Sequence, residues 1–321
     1  GGSIYPVAIN IPQIFNSLPD NEPRKIGAYI SWVAIASTCV TSSMFLTALA
    51  PNLLAVDLIA KGTGHAITWM EWAKIMLPLM IPLFILTPWL TYVIYPPTQK
   101  KSPEAPAWAA EELKKLGSIT FKEYLMAGLA TVALVLWIFG KELGVDATIT
   151  AISIVSIMIL SGIISWDDLL SDKAAFNVFI WFATLVALAD GLKKVGILDF
   201  IGKNSQAMLS DLSLTSLIIA LILLFYVLHY FFASTTAHVT ALVPLFMVIA
   251  STFIPAEQLL TFTILLAGSL GVMGIITPYG CGPSPIWYGA GYISQGKWWA
   301  LGAIFGAIYL IPIIIGVFIF I

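Results

Sequence analysis

The chain has 321 residues, of which 59% are hydrophobic and 10% charged, and its formal net charge is −2. A soluble domain carries roughly 25% charged residues, and one this apolar would leave large greasy patches facing water. An integral membrane protein with several spans is therefore predicted, and no basic run points to a nucleic-acid partner.

A bilayer-spanning helix needs about 20 mostly apolar residues. The chain opens on GGSIYPVAINIP, with neither Met nor a cleavable signal pattern, and reads as the interior of a longer sequence. Residues 26–50 give the first span, interrupted by the polar patch STCVTSS. Residues 74–95 give a second, with Pro78, Pro82 and Pro88 predicting a kink. Residues 96–122 are soluble in character, and Glu111, Glu112, Lys114 and Lys115 suggest a short surface helix. Runs 123–140 and 145–164 are clean spans, and SWDDLLSDK (165–173) is a polar connector. Run 174–192 spans next and ends at Asp190-Gly191. Residues 213–254 follow, then 257–276 leading into TPYGCGPSP, and 298–321 is the last span. Arg24, Lys25 and the five lysines of 96–122 place those two regions in the cytoplasm, with Lys193, Lys194 and Lys203 weighing on the other side. The two cysteines, Cys39 and Cys281, read as free thiols.

The run 213–254 is too long for one span and too short for two spans with a loop. Its centre, FFASTTAHVTALVPLF (231–246), is polar. That pattern predicts a re-entrant hairpin, with Ser234, Thr235 and Thr236 at the tip. Irregular backbone survives at membrane depth only when it is buried in protein or lines a wet cavity. The competing reading is that these hydroxyls bond to their own helix carbonyls or glue helices together. The second interruption, TPYGCGPSP (277–285), holds three prolines and two glycines and cannot continue a helix. TSSMFLTALAPN (41–52) makes a similar break, with hydroxyls and then Pro51-Asn52. After each break come a short segment and a Trp-containing turn expected at the interface, Trp69 and Trp72 or Trp298 and Trp299. Paired broken helices in two halves of a chain point to the substrate site of a secondary transporter.

Arg24 is the only arginine and lies outside the spans, so no buried guanidinium can clamp an anion. Half-helix N-termini and hydroxyls remain as donors, and both suit carboxylates. Carbonyls freed at the breaks, with Asn52 and Thr277 nearby, could instead hold Na⁺. His238 stands four residues after Ser234, so a nucleophile–base pair and an intramembrane hydrolase form a separate reading. It lacks a third member, Asp190 being the nearest acid of intramembrane character, and His238 reads more naturally as a hydrogen-bonded packing residue. His229 and His65 read as structural or interfacial.

Four stretches, TSSMFLTALAPNLLAVDL (41–58), FIWFATLVALADGLKKVG (179–196), FFASTTAHVTALVPLF (231–246) and TPYGCGPSPIWYGAGYISQGKWW (277–299), resemble the divalent anion–sodium symporter family. The likeness is to its 2-oxoglutarate/malate translocator branch, related to the citrate/succinate and tartrate/succinate antiporters. With the spacing between them, the stretches cover essentially the whole chain, and the last two are the specific ones. The resemblance implies an all-α, polytopic transporter of inverted-repeat elevator type, working as a homodimer in the lipid bilayer. Its two hairpins would each carry a Ser-Asn-Thr-like tip and be followed by a broken helix. Carried over residue by residue, the substrate site comprises Ser234, Thr235 and Thr236 on the second tip, Ser43 and Thr47 on the first break, and Thr277 and Pro278 on the second. A sodium site would lie near Ser42, Ser43, Asn52, Thr235 and Ile276.

Two departures matter. Thr235 stands where the sodium symporters have Asn, which favours exchange over sodium coupling. In this branch the first hairpin precedes a Gly-Gly-x-Ile-Tyr-Pro-like segment, and here that segment opens the chain. The expected organisation is the end of the first repeat with its broken helix (1–58), a span and cytoplasmic loop (59–122), scaffold spans (123–212), and hairpin, broken helix and last span (213–321). The expected function is transport of C4/C5 dicarboxylates by exchange, in a bacterial inner membrane or an organelle inner envelope. A sodium-coupled dicarboxylate or citrate symporter is the alternative, and an inactive fragment a remote one.

Overall fold

A computed structural model describes residues 5–101, 103, 105–173 and 212–321, with isolated positions between 176 and 200. The span expected at 174–192, with Asp190, Lys193 and Lys203, lies outside the described residues, as do Gly1 to Ile4. Apart from one bridge between Leu18 and Asn21, the regular structure among the described residues is helical. Six described helices are long and apolar enough to cross a membrane.

In chain order the helices are α1 (Gly27–Met44), α2 (Ala50–Thr63), α3 (Trp69–Ile94), α4 (Ala105–Leu116), α5 (Phe121–Leu143), α6 (Ala147–Leu160) and α7 (Trp166–Ser171). Then come α8 (Leu214–Leu228), α9 (Thr235–Phe253), α10 (Ala256–Met273), α11 (Ser284–Gly289) and α12 (Gln295–Phe320). Two one-turn helices, Tyr5–Ala8 and Ile11–Ile14, precede them. The chain divides into two compact bodies, one of Gly1–Ile67, Glu71–Gln99 and Phe182–Ile321, the other of Thr68–Met70 and Lys100–Trp181.

The smaller body is built on capped helices. Thr120 and Glu123 form a reciprocal capping box at the start of α5, and Ser165 and Asp168 form another at α7. These boxes satisfy donors that a helix start leaves unpaired. The Asp146 carboxylate caps α6 by accepting from the N–H groups of Thr148 (2.8 Å) and Ile149 (3.2 Å). The Ile149 N–H, then that of Thr148, holds this carboxyl below the usual aspartate range. Helices α5 and α6 pack on each other, and the Trp137 indole donates to the Ala147 carbonyl at 3.2 Å.

In the larger body α10 is the central helix, packed on α1, α2, α8, α9 and α12. Its apolar side chains Phe262, Leu265, Leu266 and Leu270 are fully buried. Bilayer lipid gives helices no hydrophobic drive to associate, so close packing of small residues matters. At Gly271 an added Cβ would stand 2.5 Å from both the Ser43 nitrogen and Oγ. Hydrogen at that position is what lets the end of α1 reach the end of α10. Gly302 does the same for α12, since a Cβ there would meet the Ile276 carbonyl at 2.8 Å.

Helix α3 continues through all three of its prolines. One expectation needs correction. Trp72 and Trp298 are not interfacial but fully buried. Trp72 donates to the Ser43 carbonyl at 3.1 Å, a group the break in α1 frees. Trp298 packs edge-on to Trp32, with ring centroids 5.2 Å apart, and its area serves the core.

Candidate functional site

Three interruptions in helix meet in the larger body. The first follows α1. Phe45 and Leu49 are extended, a 3-10 turn covers Leu46–Ala48, and α2 begins with Pro51 in its first turn, where a missing N–H costs nothing. The carbonyls freed there are recovered by one side chain: the Asn52 amide donates to the Ser42 carbonyl at 2.8 Å and to that of Phe45 at 3.3 Å. Asn52 is fully buried, and its Oδ1 has no partner.

The second interruption runs from Gly274 to Pro283, between α10 and α11. It is a series of tight turns, including Ile276 N–H to Met273 and Gly280 N–H to Thr277. Ser284 closes it by donating to the Gly274 carbonyl at 3.3 Å. Ile276, Thr277 and Pro278 are buried, and the Thr277 hydroxyl has no partner.

The third is the polar stretch itself. Helix α8 ends at Leu228, a 3-10 turn covers His229–Phe231, Phe232 is extended, and α9 starts at Thr235. Ser234 is the extended N-cap residue of α9, its Oγ accepting from the Ala237 N–H at 3.4 Å. Two helical arms therefore meet at Ser234 and, contrary to the expectation that the run is too short for two spans, each arm (Leu214–Phe231 and Thr235–Phe253) is long and apolar enough to cross a membrane. Helix α9 packs most extensively on α2, the second arm of the first broken helix.

The tip is tied to the second break at one atom. The Thr235 hydroxyl donates to the Gly280 carbonyl at 3.1 Å, and His229 Nε2 lies 2.7 Å from the same oxygen. A carbonyl only accepts, so His229 carries its proton on Nε2. The first break is tied to α10 in the same manner, with Ser43 Oγ accepting the Val272 N–H at 2.9 Å. Ser43, Thr235 and Thr277 are buried, Ser42, Thr47 and Thr236 are half-buried and Ser234 is exposed. Thr240, one turn beyond Thr236, donates to the Thr236 carbonyl at 2.7 Å within its own helix.

A cavity of about 170 Å³ opens between α1, the first break and the second, lined among others by Thr38, Thr41, Ser42, Gly271 and Pro283. Of the expected site residues only Ser42 lines it; Ser234, Thr235 and Thr236 do not.

His238 is fully buried, and neither ring nitrogen has a hydrogen-bond partner. It is a packing residue, but not the hydrogen-bonded one expected. Its ring lies edge-on to Phe225 (4.4 Å), His229 (4.9 Å) and Phe232 (5.0 Å). Only its backbone N–H bonds to Ser234, at the carbonyl (3.0 Å), and its ring does not, so a nucleophile–base pair is absent here. The sharing of the Gly280 carbonyl by His229 was missed in the sequence, where a lone histidine before a polar tip gives no sign of a partner 51 residues away.

The family described as the sodium:sulfate symporter transmembrane region matches residues 1–320. The chain belongs to this divalent anion–sodium symporter family. It is 46% identical over 315 residues to the L-tartrate/succinate antiporter of Escherichia coli K12, covering 98% of this chain and 64% of that protein. The L-tartrate/succinate antiporter of Shigella boydii serotype 4 matches equally, and that of Shigella flexneri at 45% over the same shares. The chain thus spans 64% of the length of these relatives. Family membership and the six apolar helices make it an integral, multi-pass membrane protein. With transporters as relatives and no base at Ser234, the intramembrane hydrolase reading falls.

Proposed function

We propose that this chain forms part of a dicarboxylate exchanger of the divalent anion–sodium symporter family. The observation that carries the reading is the 46% identity, along 98% of the chain, to an antiporter of L-tartrate and succinate. The proposed substrates are C4 dicarboxylates of that kind, with the C5 acid 2-oxoglutarate and malate in the wider class. Ser234, Thr235 and Thr236 at the tip, Ser43 and Thr47 at the first break, and Thr277 and Pro278 at the second are the proposed substrate residues. With no buried guanidinium or ammonium among the described residues, a carboxylate would be met by hydroxyls other than that of Thr235, which donates to Gly280, and by the N–H groups that open α9. The protein would work as a homodimer, its hairpin re-entrant and its site carried across the membrane by elevator movement.

Sodium coupling is the second reading, and one observation favours it: the Asn52 Oδ1 atom is buried, without a partner, beside the first break. An amide oxygen of that kind suits a hard cation. The proposed ion position is near Ser42, Ser43, Asn52, Thr235 and Ile276.

Counterflow in proteoliposomes containing the full-length protein separates the two. Uptake of labelled succinate should require succinate, tartrate or malate inside and should be indifferent to Na⁺. Uptake into empty vesicles that rises steeply with external Na⁺ would replace exchange by symport.

A further inference from the structure

Cys39 and Cys281 stand 242 positions apart in sequence, one in α1 and one in the second break. Both are free and buried, and both line the 170 Å³ cavity, their thiols close enough to influence each other. Cys281 is held in place by its neighbours. Its Sγ lies 3.0 Å from the Ser284 hydroxyl. The absence of a side chain at Gly274 gives it room, since a Cβ there would come within 2.9 Å of the Cys281 Cβ. The Thr38 and Thr41 hydroxyls do not compete for the sulfurs. Thr38 donates to the Ala34 carbonyl at 2.7 Å and Thr41 to that of Ser37 at 3.1 Å, both within α1.

We propose that Cys39 and Cys281 form a two-sulfur site for a thiophilic divalent metal ion that accepts linear, two-coordinate ligation. Thiolates select soft metals, and ligating sulfur must first lose its proton. With Hg²⁺ as the ion the balance is two thiols plus Hg²⁺ giving S–Hg–S and two protons, with no change of oxidation state. The product is neutral, which matters in an apolar interior where an isolated charge is costly. A monovalent ion on the same two thiolates would leave a buried negative charge. Zinc prefers four ligands, and among the described residues no group of three or more His, Cys, Asp or Glu side chains could supply them. The bound ion would clamp α1 to the second break across the cavity. The clamp's effect on exchange rests on the function proposed above; the site itself does not.

The experiment is titration of the purified full-length protein with HgCl₂, following sulfur-to-mercury charge-transfer absorbance, beside Cys39→Ser, Cys281→Ser and the double variant. The unmodified protein is expected to hold one equivalent of Hg²⁺ here with both thiols consumed, either single variant to bind it through one sulfur and release it to a competing small thiol at least about 100-fold more readily, and the double variant to bind none here. Zn²⁺ at equal concentration should not compete. Separate mercury uptake by each thiol, unchanged retention against the competing thiol in the single variants, or tight Zn²⁺ competition would each overturn the site. Size-exclusion profiles matching the unmodified protein confirm that the variants fold. Monofunctional methylmercury covers the case where they do not, because it should load two equivalents where Hg²⁺ loads one. In vesicles, Hg²⁺ should stop exchange by the unmodified protein and spare the double variant. Mercury binding without any exchange activity would count against the function and leave the site standing.

Discussion

Ser43 and Val272 lie 229 residues apart in the chain and are joined by one buried hydrogen bond of 2.9 Å, from the Val272 N–H to the Ser43 hydroxyl oxygen. The bond sits where α1 stops and α10 is about to stop, so it sets the two breaks side by side. It depends on Gly271, whose missing side chain leaves the space that Ser43 fills.

Gly271→Ala should therefore destabilise the protein through crowding. Overpacking a tight interior costs about 1–3 kcal/mol, and the new methyl would meet backbone as well as side chain. Gly296→Ala is the control, because nothing stands within 4 Å of a Cβ there. Thermal unfolding of the detergent-purified protein should show a clear loss for the first and little change for the second. Equal melting temperatures for the two would mean that α1 and α10 do not approach as described.

Thr236→Val keeps the shape of the tip and removes its hydroxyl. If that hydroxyl donates to a substrate carboxylate, the loss is about 1.5–3 kcal/mol, or about 10- to 150-fold in affinity at 1.4 kcal/mol per decade. Thr236→Ser should be mild. Thr240→Val should also be mild, because the Thr240 hydroxyl serves only its own helix carbonyl. Exchange kinetics in proteoliposomes give the comparison, and an unaffected Thr236→Val removes that residue from the site.

Thr235→Val tests a different role. Its hydroxyl is committed to the Gly280 carbonyl, so the substitution should cost about 1 kcal/mol of stability. His229 remains as a donor to the same oxygen. His229→Leu alone should be comparable, and the double variant should lose more than the two losses added, since only then is a buried carbonyl left without a partner. Strict additivity of the three melting temperatures would contradict the shared acceptor.

Asp146 gives a prediction in pH. Its folded pKa is depressed by the N–H groups it caps. The support it lends α6 is therefore complete above the ordinary aspartate pKa of about 3.9 and is lost as pH falls through the lower folded value. Hydrogen-exchange protection at Thr148 and Ile149 should drop on acidification below about pH 4. Asp146→Ala should show the low protection already at neutral pH.

The spans at 74–95, 123–140, 257–276 and 298–321 were legible because a run of apolar residues has a length the bilayer fixes. The second break was legible because proline and glycine crowd 277–285, whereas the first falls at Phe45–Leu49, ahead of Pro51, which opens α2 rather than ending α1. Surface helix α4 was legible from its charges. What joins the breaks was not. The bond from Val272 to Ser43, the indole of Trp72 on the Ser43 carbonyl and the meeting of Cys39 with Cys281 are contacts between distant segments. No local pattern marks which hydroxyl or thiol finds which partner. Trp72 and Trp298 misled for a related reason: tryptophan near a helix end serves either the interface or a core, and only the surrounding helices decide.

A carbonyl oxygen has two lone pairs, and the one on Gly280 gives both away, to Thr235 and to His229. A helix break ordinarily leaves such oxygens available as cation ligands. Here that vacancy is filled from within the protein, so a cation seeking this oxygen must first displace Thr235 or His229. Occupancy of the carbonyl by a metal ion and its full pair of hydrogen bonds are mutually exclusive states of the same atom.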